Sequence, residues 1–214
     1  MNNDIKSGVH KDNAETDKQE TEKKHSVFLF RIFVFLVIAV LGTAADLISK
    51  HLVLSSLGMP GMYRRTDKPE QEAVYWIWDG VFGFQTGLNE GGLFGMGQGG
   101  SFIFAGLSFV ALIAVFIFLY FIASKSFLLT ATFGLITAGI LGNCYDRLGF
   151  HRLTWHYTGD GHQFGENVYA VRDWILVMFG SFHYPNFNIA DSFLVCAAGL
   201  LILHSFLSAP PKNI

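Results

Sequence analysis

Seven charged or amide side chains stand at the edges of long apolar runs, and their spacing sorts them into three sets. Asp46 and Lys50, four apart, sit at and just past the end of the first run. Asn143, Asp146 and Arg147, related by three and four, close the third run. Asn188 and Asp191, three apart, open the fourth. Residues three or four apart share a helix face, so each set can turn into one common pocket. Ionisable groups beside apolar helices are costly to keep there and are functional candidates by default. Carboxylates next to amides in such a setting suit chemistry that moves protons.

Each set also has a plainer reading. Asp46 and Lys50 could form an ordinary ion pair at a helix end. Asn188 could be a helix N-cap, with Asp191 as the acidic residue three positions on, and that reading is compatible with function. Asp146 and Arg147 could be a structural pair. Asp173, between Arg172 and Trp174, reads locally as a loop carboxylate paired with Arg172. Asn89, before a glycine cluster, reads as a turn. His151, His156 and His162 lie in a Gly-rich polar stretch with no helical i, i+4 pair, and no HExxH or cysteine pattern accompanies them, which argues against a metal. No GxSxG is present, and neither Cys144 nor Cys196 has an obvious histidine partner, which argues against a serine or cysteine nucleophile. The two cysteines read as packing residues.

The elements that must position these groups are membrane spans. Hydrophobic residues make up 51% of the 214 and charged residues 15%, against about 25% charged in a soluble domain. The net charge of -2 gives no reason to expect a nucleic acid partner. Four runs have roughly the 20 apolar residues a crossing needs: Val27 to Ala45, Phe102 to Ala123, Phe127 to Tyr145 and Ile189 to Leu207. The first run outlasts the roughly 7–15 apolar residues of a cleavable signal peptide. The third is rich in Gly and Thr, which let helices approach closely. Only Ser124, Lys125 and Ser126 separate the second and third spans, so both long loops share the face opposite the termini. Because spans alternate in direction, all three polar sets fall at that same face. Lys23, Lys24, Arg31, Lys125 and Lys212 flank the spans on the side of the termini, which favours cytoplasmic termini. Residues 1–25 are polar and expected to be a disordered cytoplasmic tail. Residues 26–208 form one membrane-embedded domain and 209–214 a short cytoplasmic tail. Val74 to Leu88 reads as short strands. Trp174 to Tyr184, too short to span, reads as an interfacial segment. The expected fold is an all-α membrane protein of four transmembrane helices with a small β-rich extracytoplasmic cap.

Five stretches in this order resemble the lipoprotein signal peptidases, also called signal peptidase II: DLISK (Asp46 to Lys50), NEGGLF (Asn89 to Phe94), GNCYDR (Gly142 to Arg147), VRDW (Val171 to Trp174) and FNIADS (Phe187 to Ser192). The resemblance covers about residues 30–207. It implies a membrane aspartyl endopeptidase of the bacterial inner membrane, its active site near the outer face. It implies cleavage of diacylglyceryl-modified prolipoproteins before the lipidated cysteine, with membrane lipid as surroundings, a monomer, and neither cofactor nor metal. The catalytic pair it implies is Asp173 and Asp191. The supporting positions are Asp46, Lys50, Asn89, Gly142, Asn143, Asp146, Arg147, Asn188 and Ala190. Lys50 and Arg147 are expected to tie helix ends together, with Asp46 and Asp146 as their partners.

The chain departs from the family pattern at Arg172, where an apolar residue is usual, and at Gly92, where alanine is usual. It is also longer at 58–78 and 148–171. These departures leave Asp146, and less readily Asp160, as alternative partners for Asp191. Two carboxylates in one pocket resist losing both protons. The ionised one can act as base on water while the other donates to the scissile carbonyl. A proton-coupled transporter would instead hold acids near mid-bilayer with repeat symmetry, and a noncatalytic adaptor would not need them.

Overall fold

The computed structural model describes residues 2–60, 74–92, 96–122, 126–159 and 161–208, with side chains from residue 18 onward. In chain order these form α1 (Asn2–Leu57), β1 (Tyr75–Trp78), β2 (Phe82–Asn89), α2 (Ser101–Ile122), α3 (Phe127–Arg147), β3 (Val171–Phe179), β4 (Phe182–Phe187) and α4 (Ile189–Leu207). All four helices are long and apolar enough to cross a membrane. Their outer faces carry exposed Leu36, Val40, Ile103, Val110, Val195 and Ile202. Apolar surface on that scale marks a lipid-facing bundle.

The third helix is the central one. It packs against α1, α2 and α4, and 61% of its spanning window is buried against 11–17% for the others. Its small residues make this possible. Gly134 faces Phe35 and Ile38 of α1, and a β-carbon at Gly139 would stand 2.7 Å from the Ala190 carbonyl oxygen of α4. In a bilayer, where helices gain little from the hydrophobic effect, such close backbone contact drives association.

Helix α1 outruns its expected end. No breaker occurs before Gly58, whose φ of 83° and N–H bond to the Leu54 carbonyl at 2.8 Å stop the helix with a left-handed cap. Asp46 and Lys50 therefore lie within α1 and not at its edge. The helix also extends back through the polar stretch expected to be unstructured. Over residues 18–25 it is favoured by Lys, Gln and Glu and by an i, i+4 pair of Glu20 with Lys24 at 2.7 Å. The expected tail 209–214, Lys125, Lys212 and most of the insertion at 58–78 lie outside the described residues.

The strands form one antiparallel sheet in the order β1-β2-β3-β4. The segment Trp174 to Tyr184, expected to lie at the interface, forms most of a hairpin, β3 turning into β4. The physical reason is pairing on both sides: β3 matches Leu88 to Arg172 and Gly87 to Asp173 on β2, and Ile175 to Phe187 on β4. A run with both edges hydrogen-bonded can be buried, and Val171 to Trp174 are. The sheet joins α1 to α2 and α3 to α4, so it sits where α1 and α3 end and α2 and α4 begin. Only Asn188 separates β4 from α4. Behind the sheet, Trp155, Val168 and Ala170 of the 148–171 insertion pack with Leu54 and Met59 into a small second core.

Replacing Gly139 by valine is expected to push α3 from α4 and cost about 1–3 kcal/mol. Thermal unfolding in detergent checks this; an unchanged Tm would show that the helices have slack there.

Candidate active site

Successive side chains on a strand point to opposite faces, and β3 uses this at residues 172 and 173. Arg172 turns to the end of α3. Its Nε and Nη2 donate to Asp146 Oδ1 at 3.0 and 2.6 Å, and its backbone N–H donates to Asp146 Oδ2 at 3.0 Å. The other Asp146 neighbour is Lys50, whose Nζ lies 3.1 Å from Oδ2. The same Nζ lies 2.7 Å from Asp46 Oδ2 and donates to Asn143 Oδ1 at 3.0 Å. Asp46 Oδ1 accepts from the Ala190 N–H at 2.9 Å, in the first turn of α4. The Lys50, Asp46 and Asp146 side chains have no solvent exposure. Lys50 and Arg172 thus balance Asp46 and Asp146, and the network joins α1, α3, β3 and α4. Gly142 is the neighbour that makes room, since any β-carbon there would collide with the Asp46 carboxylate.

Two amides carry this network to two further carboxylates. Asn188 caps α4: its Oδ1 accepts from the Asp191 N–H at 3.0 Å, and Asp191 Oδ2 accepts from the Asn188 N–H at 3.1 Å. This is a reciprocal capping box. The free end of the same amide, Nδ2, donates to Asp173 Oδ1 at 2.6 Å and to Asn143 Oδ1 at 3.1 Å. Asn143 Nδ2 in turn donates to Asp191 Oδ1 at 2.8 Å. Asp173 and Asp191 therefore hang from a bonded pair of asparagines.

Both carboxylates line one cavity of about 620 Å³, with Asn89, Gly92, Asn143 and Arg147 around them. Its remainder is largely apolar, including Ile140, Val177, Phe179, Tyr184, Phe187 and Leu194. Burial raises the Asp173 carboxyl to about 7, and the negative charge of Asp191 pushes the same way, against the amide of Asn188. Arg147 donates from Nη2 to the Gly91 carbonyl at 2.9 Å and stacks 5.4 Å over the Phe104 ring. Asn89 shapes the same turn, accepting from the Gly91 N–H at 3.0 Å and donating to the Gly92 carbonyl at 3.3 Å.

The supporting residues named from sequence come together, with changed partners. Arg147 does not pair with Asp46 or Asp146, because neighbouring helix positions face different ways; Arg172 takes that place. Asp173 is correspondingly not paired with Arg172. Asp146, the alternative partner for Asp191, has both oxygens held by Arg172 and Lys50 and does not line the cavity. Asp160 lies outside the described residues. The Asn188 cap exists alongside its contact to Asp173. Among the described residues, no three of His, Cys, Asp or Glu gather as for a metal ion. His151 Nδ1 accepts from the Leu153 N–H at 3.1 Å. Cys144 is buried and Cys196 exposed, both unbridged. Arg172 is the residue that sequence reasoning missed. Its signal was an arginine inside a largely apolar strand run, where a charge needs a buried partner.

Residues 38–207 match the family described as Signal peptidase (SPase) II. A lipoprotein signal peptidase of Rhodopirellula baltica is 42% identical over 171 residues, 79% of this chain and 70% of that protein. One of Symbiobacterium thermophilum is 26% identical over 80% of this chain and 93% of its own length. A solved structure described as a bacterial membrane enzyme shares the fold at a TM-score of 0.63, with 22% identity over 86% of this chain and 95% of that one.

Removing one partner from a buried ion network strands the others and typically costs about 3–5 kcal/mol. Lys50→Met, which leaves Asp46 and Asp146 short of a cation, is expected to lose that much, read as a lowered Tm in detergent. A Tm within a degree or two of the unsubstituted protein would show that the network is not holding the bundle.

Proposed function

The chain belongs to the signal peptidase II family, and on that premise we propose that it is a membrane aspartyl endopeptidase whose working groups are Asp173 and Asp191. The observation that carries this reading is their placement. One carboxylate from a strand and one from a helix N-terminus line the same cavity, bridged by Asn188 and Asn143. The substrate class is the family's: a prolipoprotein already carrying a diacylglyceryl cysteine, cut on the amino side of that cysteine. The acyl chains would rest in lipid while the peptide enters between the spans. Both termini would be cytoplasmic, with the sheet and cavity at the outer face. The protein would act as a monomer and need no cofactor or metal.

The geometry divides the labour. Asp191 accepts N–H bonds on both oxygens, which suits the acceptor, and hence the base, of the pair. Asp173, buried and raised to about 7, carries the shared proton near neutral pH. Asp191 takes a proton from water as the water oxygen attacks the scissile carbonyl. Asp173 gives its proton to the carbonyl oxygen. The proton held by Asp191 then passes to the leaving nitrogen as the C–N bond breaks, and one hydroxyl of the gem-diol intermediate returns its proton to Asp173. This yields a free carboxyl and a free α-amine and restores the shared proton. Such transfers are each worth about 10²–10⁴-fold. Asp46, Lys50, Asp146 and Arg172 would act behind the pair, keeping its two asparagines in register.

Asp173→Asn and Asp191→Asn are each expected to slow cleavage of a lipid-modified prolipoprotein in vesicles by about 10²–10⁴-fold with normal membrane insertion. Full activity in either variant would remove that residue from the mechanism. Because the pair must keep one proton, cleavage is expected to decline as pH rises through about 7. A rate that climbs through that range would contradict the assignment. The same group sets a stability trend. Its folded value lies above the ordinary 3.8, so between about 4 and 7 the unfolded chain releases a proton that the folded one keeps, and stability falls as pH rises. Asp173→Asn lifts that penalty. Its Tm advantage over the unsubstituted protein is therefore expected to be larger at pH 8 than at pH 4, and an equal offset at both would contradict the burial argument.

A further inference from the structure

The insertion at 148–171 reaches the turn beside the cavity through His162. His162 Nε2 lies 3.3 Å from Glu90 Oε2, and both side chains are mostly buried, at 16% and 17% exposure. The imidazole stacks on Trp155 with ring centroids 4.1 Å apart and planes 11° from parallel. Trp155 is itself fixed. It belongs to the small core with Leu54, Met59, Val168 and Ala170, and its N–H and carbonyl bond to Glu166 and Gly165 at 2.8 Å each. Glu166 also stands 3.8 Å from His162 Nδ1. His162 is thus a rigid post and not a loose loop residue.

Glu90, its partner, directly follows Asn89. The turn they share is short and held at several points. The Glu90 carbonyl accepts from the Ser101 hydroxyl at 3.1 Å, the Gly91 carbonyl from Arg147, and the Gly91 N–H bonds to Asn89. The Glu90 side chain reaches the insertion at His162. Asn89 and Gly92 line the cavity, and the Asn89 amide also favours the ionised form of Asp173. A shift of the turn would therefore move a group that acts on the dyad.

We infer that His162 is a positioning residue: through Glu90 it holds the Asn89–Gly92 turn against the cavity, so that the insertion acts as a buttress of the catalytic site. This rests on the dyad reading above and deepens it. Neither residue touches the reacting atoms.

The test is a double-mutant cycle on the full-length protein in vesicles, with a lipid-modified prolipoprotein as substrate. His162→Phe keeps a ring on Trp155 and removes the contact to Glu90. Glu90→Ala removes the contact from the other side. Each single variant is expected to lower kcat/KM about five-fold, with the double variant no worse than either alone, since coupled residues are not additive. His162→Gln, which keeps a donor toward Glu90, is expected to recover most of the loss. The high-pH limb of activity is expected to move upward in His162→Phe, because a displaced Asn89 no longer favours ionised Asp173; a purely structural role would leave that limb in place. Wild-type kinetics in both single variants, additive losses, or an unmoved limb would each overturn the inference. If His162→Phe fails to insert, Glu90→Ala decides it by the same kcat/KM and pH readouts. Loss in the His162 and Glu90 variants alongside full activity in Asp173→Asn would instead sink the dyad reading itself.

Discussion

One buried lysine sets the terms for the rest of this site. Lys50 has no solvent, and a lone ammonium there would be expensive to desolvate. It is tolerated because Asp46, Asp146 and Asn143 all lie within 3.1 Å of its nitrogen. Those three come from two helices, so satisfying one cation fixes the rotation of α1 against α3. Asp146 then needs more than half of Lys50, and Arg172 supplies it from β3. Asp46 has an oxygen left over, and the Ala190 N–H of α4 fills it. A charge-balance requirement thus becomes a geometric one: four elements must meet at one point, or some charge is left uncompensated.

The amides convert that rigid frame into a site. An asparagine offers both a donor and an acceptor, and here both ends are used. Asn143 accepts from Lys50 and donates to Asp191. Asn188 accepts from the α4 backbone and donates to Asp173 and Asn143. Neither amide carries charge, so they position the dyad without adding a cation that would hold both acids ionised. The fully charged network stays one layer back. Burial and the neighbouring charge of Asp191 keep a proton on Asp173 near neutral pH, whereas Asp146 is bound by two cations.

Much of this was legible from spacing. The fourth helix matches its expected bounds, Ile189–Leu207, because Asn188 and Asp191 form a cap signal at the edge of an apolar run. The third helix starts at Phe127 as expected, with Ser126 capping it. The convergence of three polar sets followed from alternation of the spans. What was not legible depends on long-range pairing. The strand character of the β3–β4 hairpin was not legible because its pairing comes from β2, more than 80 residues earlier in the register that pairs Leu88 with Arg172. The partners of Asp146 were misread for the same reason: Arg147 is adjacent in sequence, whereas Arg172 arrives only through the sheet. Asp173 could be singled out by family resemblance alone, since nothing within VRDW distinguishes a catalytic carboxylate from a loop one.

The location of the acids also follows from what water requires. On the proposed function, peptide hydrolysis would consume a water molecule, so a dyad sealed at mid-bilayer would starve. Asp173 is carried by a strand of the sheet, and Asp191 by the first turn of α4, where a helix must solvate its unpaired N–H groups in any case. The capping box that meets this need leaves Asn188 Nδ2 free to reach Asp173. The same cavity continues along α4 past Leu194 to Cys196, on a helix whose face is open to lipid. On the proposed function, the carboxylate end of the cavity would take the scissile peptide bond, and its apolar remainder would lie beside the lipid in which the acyl chains rest.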